Sequence, residues 1–568
     1  MAKKIDYDNW SKDELVKEIK RIKETTYGLV WHRDLPEEKI DILINPDAHT
    51  PSEMFPNEME GKPFPVLKEV KTKAIETDKN KPTNILIEGD NYHSLAVLNF
   101  THEEAIDLIY IDPPYNTGNK DFRYNDTFVD YEDAFRHSKW LSFMEKRLKL
   151  AKNLLKNDGV IFISIDDNEH SALKMLCNEI FEEKNFIASL IWKSKSGGAN
   201  DSRFFAVDHE YVVVYAKNSE NLKFGLDKES KVTTVYNLKD KNGWYSLDRL
   251  DKQSLGYLPS LDFPIKGPNG KIYRVYHKNK EHKVARWRWG QDTVKERCTE
   301  LVFKDDFVYT KNYQKSGAIP RSLLIDERFG RTRTGKTELF DLFGKEIFKN
   351  PKPSKLISHI INLFPRENIT VLDFFAGSGT TGHAVLNCNK EDGGKRNFIL
   401  CTNNEELDNN GNNLKHKICT DVCYPRIMKI ISGYTNSSKE KVKGLGSNLK
   451  YYNCGFVESK PTDRNKRKLV NQSTEMLCIK ESAFELVQEA DDFKIFRNHD
   501  KYLGIIFHED SISDYKKAIK KINGHFNTYT FSMTDDPHKE EFVDVADKVT
   551  LCAIPDVILK VYREVFKE

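Results

Sequence analysis

The feature that most constrains the fold of this chain is a repeated alternation in which a short, wholly apolar run ends in a polar or glycine-rich segment and a helical pattern follows. Ile85 to Ile87 ends in Gly89-Asp90-Asn91, Ile106 to Ile111 ends in Asp112-Pro113-Pro114-Tyr115, and Val160 to Ile165 ends in Asp166-Asp167. His93 to Phe100 and Tyr131 to Leu155 carry helical spacing, the second closed by Asn157-Asp158-Gly159. Short continuous apolar runs suit strands buried on both faces, and strands alternating with helices predict a parallel, doubly wound α/β sheet. The pattern resumes after residue 350. Ile369 to Phe374 reads as a strand, Ala376-Gly377-Ser378-Gly379-Thr380-Thr381 as a turn, Gly382 to Cys388 as a helix and Asn397 to Cys401 as the next strand. Ligands of such sheets sit beyond the carboxyl ends of the strands, where the acidic, Pro-Pro and Gly-rich segments fall.

A chain of 568 residues holds more than one core. Lys+Arg 89 against Asp+Glu 87 gives a net charge of +2, which excludes a uniformly basic or uniformly acidic protein, so any basic surface is local. It is concentrated in 266–336, where eighteen Lys+Arg face eight Asp+Glu. There Lys283, Arg286, Trp287, Arg288 and Trp289 interleave cations with aromatic rings, a composition suited to phosphate contact and base stacking. Nine cysteines are scattered without a disulfide framework, and His416, Cys419 and Cys423 have no fourth partner nearby, so no metal is expected. Residues 11–25 predict an amphipathic helix opened by the capping box Ser11 to Glu14, with Leu15, Ile19 and Ile22 on one face. Six prolines in 46–83 predict an extended connection, with order beginning near Asn84. No apolar run is long enough to cross a bilayer and the amino terminus lacks a signal-peptide h-region, so the expected location is the cytoplasm, with no membrane association.

Two segments carry chemistry. The prolines after Asp112 remove N–H donors and hold Asp112 out of helical geometry, so the strand ends in a carboxylate and free carbonyls. Asp112 and the Pro113 carbonyl can each accept one hydrogen of an exocyclic amine, and drawing both into the acceptor plane turns the nitrogen lone pair toward an electrophile. Pro114 stiffens the tip, and Tyr115 offers a stacking face for a base taken out of its helix. The second segment, Asp373-Phe374-Phe375-Ala376-Gly377-Ser378-Gly379-Thr380, has two glycines that permit close approach of a nucleoside-type cofactor between strand and helix. Glu405, beyond the following strand, is placed to accept ribose hydroxyls, with Glu406 and Asp408 as competitors, and Asp90 either contacts the cofactor or caps a helix. Gly330 to Thr337 matches the P-loop expression, but no buried strand precedes it.

Together these segments resemble the S-adenosylmethionine-dependent amino-methyltransferases of DNA. With Asp-Pro-Pro-Tyr preceding Phe-Ala-Gly-Ser-Gly, the order resembles the circularly permuted beta group of N6-adenine enzymes. Ile87 to Asn91, Asp112 to Gly118, Asp208-His-Glu-Tyr211 and Lys352-Pro353 are similar to the modification (Mod) subunit of type III restriction-modification systems. The resemblance covers residues 84–434, and the tail more loosely. It implies a Rossmann-like methyltransferase sheet, circularly permuted, with an inserted target-recognition domain and a C-terminal α+β domain. The expected divisions are 1–83 arm and linker, 84–194 catalytic half, 195–350 target recognition, 351–434 cofactor half and 435–568 a C-terminal domain for dimerisation or partner docking. It further implies S-adenosyl-L-methionine as cofactor, lined by Lys352, Asp373, Phe375, Ala376, Gly377, Gly379 and Thr380, double-stranded DNA as substrate, a homodimer, and a separate Res subunit carrying ATPase and nuclease. N4-cytosine transfer needs the same acceptors, and Asp at 112 favours adenine. The other open reading is a P-loop NTPase using Gly330 to Thr337.

Overall fold

The computed structural model describes residues 11–17, Trp31 and 63–554, except 79, 119–121, 125–126, 198–203, 231–234, 280, 315–316, 408–415, 459–461, 499–500 and 533–537. Residues 12–17 are helical, and the expected capping box forms: the Ser11 N–H donates to Glu14 Oε2 at 2.7 Å and the Glu14 N–H to Ser11 Oγ at 3.3 Å. The remainder of that expected helix, with Ile19 and Ile22, lies outside the described residues.

Ten strands from along the chain make the central sheet: β1 (Pro63–Glu69), β2 (Thr83–Glu88), β3 (Ile106–Ile111), β4 (Leu155–Ile165), β5 (Phe186–Lys193), β6 (His209–Ala216), β7 (Leu323–Leu324), β8 (Thr370–Asp373), β9 (Asn397–Thr402) and β10 (Asn448–Glu458). Their order in space is β1-β10-β2-β9-β8-β3-β4-β6-β5-β7. β3 is buried at every position because both faces of the sheet are covered. Its alternating side chains feed two cores. Ile109 and Ile111 join Ile161, Ile163 and the apolar stripes of α1 (Asn91–Thr101), α2 (Arg136–Leu154) and α3 (His170–Phe181). Leu108 and Tyr110 join Val160, Phe162 and the stripes of α4 (Thr332–Phe343), α5 (Ser354–Asn362), α6 (Thr380–Asp392) and α7 (Tyr424–Ser432).

From β2 through β9, β8 and β3 to β4 every neighbouring pair is parallel, as expected. Beyond β4 the sheet departs from the expectation, because β6 runs antiparallel to both β4 and β5. The connection from β5 to β6 spans only residues 194–208, and so short a return suits an antiparallel pair. Tyr211 to Tyr215, expected in the inserted segment, is therefore part of the main sheet. The stretch 63–69, expected as linker, is an edge strand antiparallel to β10.

A second compact unit comprises only Gly225–Pro320, narrower than the expected 195–350. It has its own core around Leu250, Ile265, Tyr273, Trp287 and Val308, beneath a four-stranded antiparallel sheet. The tail adds a five-stranded sheet (Glu485–Glu489 to Val549–Cys552) and the helix Asp463–Glu481. Leu469, Met476 and Ile479 of that helix share the core of α1 and α2, and β10 lies inside the central sheet, so the tail is continuous with the large unit. Among the described residues no helix is long and apolar enough to cross a membrane.

Candidate active site

β8 lies directly against β3, with Val371 paired to Leu108 and Leu372 to Ile109. The two chemical segments, far apart in sequence, thus leave the same edge of the sheet from adjacent strands. β3 stops because Pro113 and Pro114 cannot continue a ladder. The Pro114 carbonyl accepts the Trp140 indole N–H at 2.7 Å. Beyond the tetrapeptide, Asn116 takes a left-handed conformation (φ 58°) and donates to Glu169 Oε1 at 2.6 Å; His137 Nδ1 lies at the same distance from that oxygen. These buried contacts fix the loop that carries Tyr115.

Asp112 sits in a cluster of four polar groups. Lys352 Nζ donates to its two carboxylate oxygens at 2.8 and 2.9 Å and to the Tyr115 hydroxyl at 2.8 Å. Glu210 Oε2, from β6, is 3.2 Å from the same Nζ and 2.9 Å from the Tyr115 hydroxyl, which also lies 2.9 Å from Asp112 Oδ1. Burial pushes the Asp112 carboxyl above the usual carboxylate range; Lys352 opposes this and Glu210 adds to it. Burial acts to lower the Lys352 ammonium, but the Asp112 and Glu210 carboxylates outweigh it and hold it protonated. The Tyr115 phenol is pushed up by burial and by both carboxylates, so it stays neutral. The Lys352 side chain, expected in the cofactor pocket, pairs with the Asp112 carboxylate. Glu210 was missed as a site residue, although Asp208-His-Glu-Tyr211 had been singled out, because nothing local reveals that β6 borders β4.

The Gly-rich turn is built by groups turned inward. Asp373 is 3% exposed; its carboxylate accepts the Phe375 N–H at 3.0 Å and the Thr381 hydroxyl at 2.5 Å, and burial pushes its pKa up to about 7. These two hydrogen bonds hold the turn. Gly377 and Gly379 have φ of +48° and +79°, a region that favours glycine. Behind the turn the buried Arg426 guanidinium donates to Ser378 and Thr380 hydroxyls and pairs with Glu338, and the Thr380 hydroxyl donates to the Lys352 carbonyl at 3.2 Å. Ala376 is buried, while Phe375 and Gly377 are half-buried. A Cβ on Gly377 would meet the Phe348 ring at 3.4 Å, an ordinary contact, so the positive φ and not crowding favours glycine here. Asp90 caps α1, accepting the Tyr92 and His93 N–H groups on Oδ1, and its side chain remains 45% exposed. Glu405 is exposed past the end of β9 and accepts from Asn403. A half-buried aromatic, an open glycine and acidic groups beyond neighbouring strands fit a nucleoside with a cationic substituent.

The segment that matches the P-loop expression, kept only as an alternative reading, opens a helix. Gly330 to Thr337 runs into α4, whose Thr332 N–H donates to the Ser194 carbonyl and whose Lys336 pairs with Glu346. Gly335 is there for packing, since a Cβ would lie 2.2 Å from the Pro351 carbonyl oxygen. The NTPase reading is discarded.

In the 225–320 unit the expected DNA-contact residues behave unequally. Trp287 is 1% exposed in the unit's core and donates to the Phe263 carbonyl, so it cannot stack on a base. Arg288 pairs with Asp248 and Lys283 with Asp262, so their charges are answered within the unit. The Trp289 ring lies under the Arg297 guanidinium at 4.3 Å, and Arg286 is half-buried on a strand paired with Asp251–Lys252. Exposed Arg274 and Lys278 enter no ion pair among the described residues, and Tyr276 between them is 48% exposed. Among the described residues no metal-binding cluster is present.

Comparison with known proteins agrees with this geometry. The chain is 33% identical over 383 residues to the StyLTI Mod subunit of a type III restriction-modification enzyme from Salmonella typhimurium, covering 61% of this chain and 56% of that protein. It is 31% identical over 440 residues to the EcoPI Mod subunit from Escherichia phage P1, covering 67% of each, and 36% identical over 339 residues to the type II methyltransferase M.KpnI of Klebsiella pneumoniae, covering 56% and 80%. The chain thus spans little more than half the length of the Salmonella relative. The DNA methylase family pattern matches residues 106–410, more than half the chain, and the protein belongs to that family.

Proposed function

We propose that this chain transfers a methyl group from S-adenosyl-L-methionine to the N6 amine of adenine in double-stranded DNA, as the modification subunit of a type III restriction-modification system. The observation that carries the reading is the pairing of β3 with β8, which brings the Asp112 acceptor and the Phe375–Gly379 turn to one edge of the sheet. The cofactor supplies an electrophilic methyl on a sulfonium. The protein has then to hold the amine, withdraw its hydrogens and exclude water. Asp112 and the Pro113 carbonyl accept the two N–H groups, Tyr115 faces the flipped base, and Phe375, Gly377, Asp90 and Glu405 surround the nucleoside. Relatives named as type III Mod subunits support the adenine assignment and a separate Res partner; a Mod homodimer and a cytoplasmic location complete the proposal. Exposed Arg274 and Lys278 are the inserted unit's candidates for phosphate contact.

The test is to express the chain in a host without DNA methylation and map modified bases along the genome. N6-methyladenine at one short recurring sequence is the expected result. N4-methylcytosine would replace adenine as the target, and unmodified DNA from well-expressed, folded protein would end the proposal.

A further inference from the structure

We propose that Glu210 is a positioning residue that draws the Lys352 ammonium off Asp112 as the target amine arrives, so that the acceptor is capped between turnovers and uncapped by the substrate itself. The inference rests on the methyl-transfer reading above. As the site stands, both Asp112 oxygens are taken by Lys352 and one is also faced by the Tyr115 hydroxyl. An exocyclic amine that donates to Asp112 must therefore share an oxygen with the Lys352 ammonium or displace it. An ammonium has three protons, and four oxygens surround this one: two of Asp112, the Tyr115 hydroxyl and Glu210 Oε2. Glu210 is thus a charged acceptor already in reach, and Lys352 can move to it without becoming an unpaired buried cation.

The surroundings let the side chain swing while its backbone stays fixed. Lys352 lies between two prolines, its carbonyl accepts the Thr380 hydroxyl, and Gly335 packs against the Pro351–Lys352 backbone. Trp192, fully buried and cross-strand from Glu210, has its ring 5.9 Å from Nζ on the Glu210 side of the cluster. The Glu210 backbone is held by the β5–β6 pairing and its carboxylate also accepts the Tyr115 hydroxyl, so it keeps a second tie when the ammonium moves.

The test compares wild type, Glu210→Gln, Lys352→Met and the double variant in single-turnover methyl transfer. The substrates are duplexes carrying the sequence the wild type methylates, with the target adenine either paired or opposite an abasic site. Glu210→Gln should slow transfer roughly tenfold on the paired target, within the coupling range of residues in one network, and the unpaired target should recover most of that loss. In the Lys352→Met background, Glu210→Gln should add little, because its effect runs through the ammonium. Glu210→Asp should restore part of the rate. Equal losses on both targets, or additive losses in the double variant, would overturn the handover and leave Glu210 a structural residue. A wild-type protein that methylates nothing would sink the underlying reading instead.

Discussion

Lys352 sets its Nζ 2.8 and 2.9 Å from the two carboxylate oxygens of Asp112, a pairing that spans 240 positions of sequence. The contact joins the strand tip at Asp112 to the Gly-rich turn, because the same lysine's carbonyl accepts the Thr380 hydroxyl. Asp112→Ala removes the acceptor and leaves Lys352 to Glu210, so the cluster stays charge-paired. Methyl transfer should fall by at least about a hundredfold, the usual loss when a preorganised hydrogen-bonding partner of the reacting group is removed, while DNA affinity is kept. Transfer of a radiolabelled methyl beside a filter-binding titration checks both halves.

The same contact sets the acid limit of the reaction. Asp112 accepts an amine hydrogen only as a carboxylate, and burial raises its pKa, so activity should be lost as pH falls through a value above the ordinary aspartate range of roughly 3.9. Lys352 works against that rise. In Lys352→Met the acid limb should therefore move to higher pH, whatever happens to the maximal rate. A limb that stayed in place or moved down would show that the ammonium does not control Asp112.

Gly335 is where α4 touches the Pro351–Lys352 backbone, and an added methyl would stand 2.2 Å from the Pro351 oxygen and 2.9 Å from the Lys352 carbonyl carbon. Gly335→Ala should cost roughly 1–3 kcal/mol by overpacking and should lower activity by displacing Lys352. Gly344→Ala, with φ +69° and open space around it, should cost about 1–2 kcal/mol through backbone strain alone and spare the rate. Thermal unfolding paired with single-turnover rates separates the two.

In the 225–320 unit, Trp287→Ala should destabilise by about 3–5 kcal/mol, as loss of a buried aromatic does, and any DNA defect should follow unfolding. Arg274→Ala with Lys278→Ala should leave stability unchanged and reduce the slope of log affinity against log salt by about two if each cation meets a phosphate. An unaltered slope would place the phosphate contacts elsewhere.

The parallel half of the sheet was legible because β3, the Val160–Ile165 part of β4 and β9 are nearly continuous apolar runs, and their carboxyl ends carry the residues singled out for chemistry. Partnerships across long sequence separations were not. Lys352 beside a proline reads locally as a helix entry, and only the β3–β8 pairing brings it to Asp112. Glu210 follows the side of the sheet that β6 joins, which depends on the short β5–β6 return. Trp287 misled because its tract alternates on a strand: Ala285 and Trp287 turn inward, whereas Arg286 and Arg288 are half-buried, and composition alone does not divide the two faces.

β3 ends at residue 111 and its second neighbour, β8, begins only at residue 370. While the ribosome makes the intervening stretch, β3 is bordered by β4 alone and bares one row of backbone donors and acceptors. The nascent catalytic half is therefore a sticky, half-closed sheet until β8 slots in. Chains released early, inside the inserted unit, should aggregate, whereas chains that reach past β9 can seal the gap.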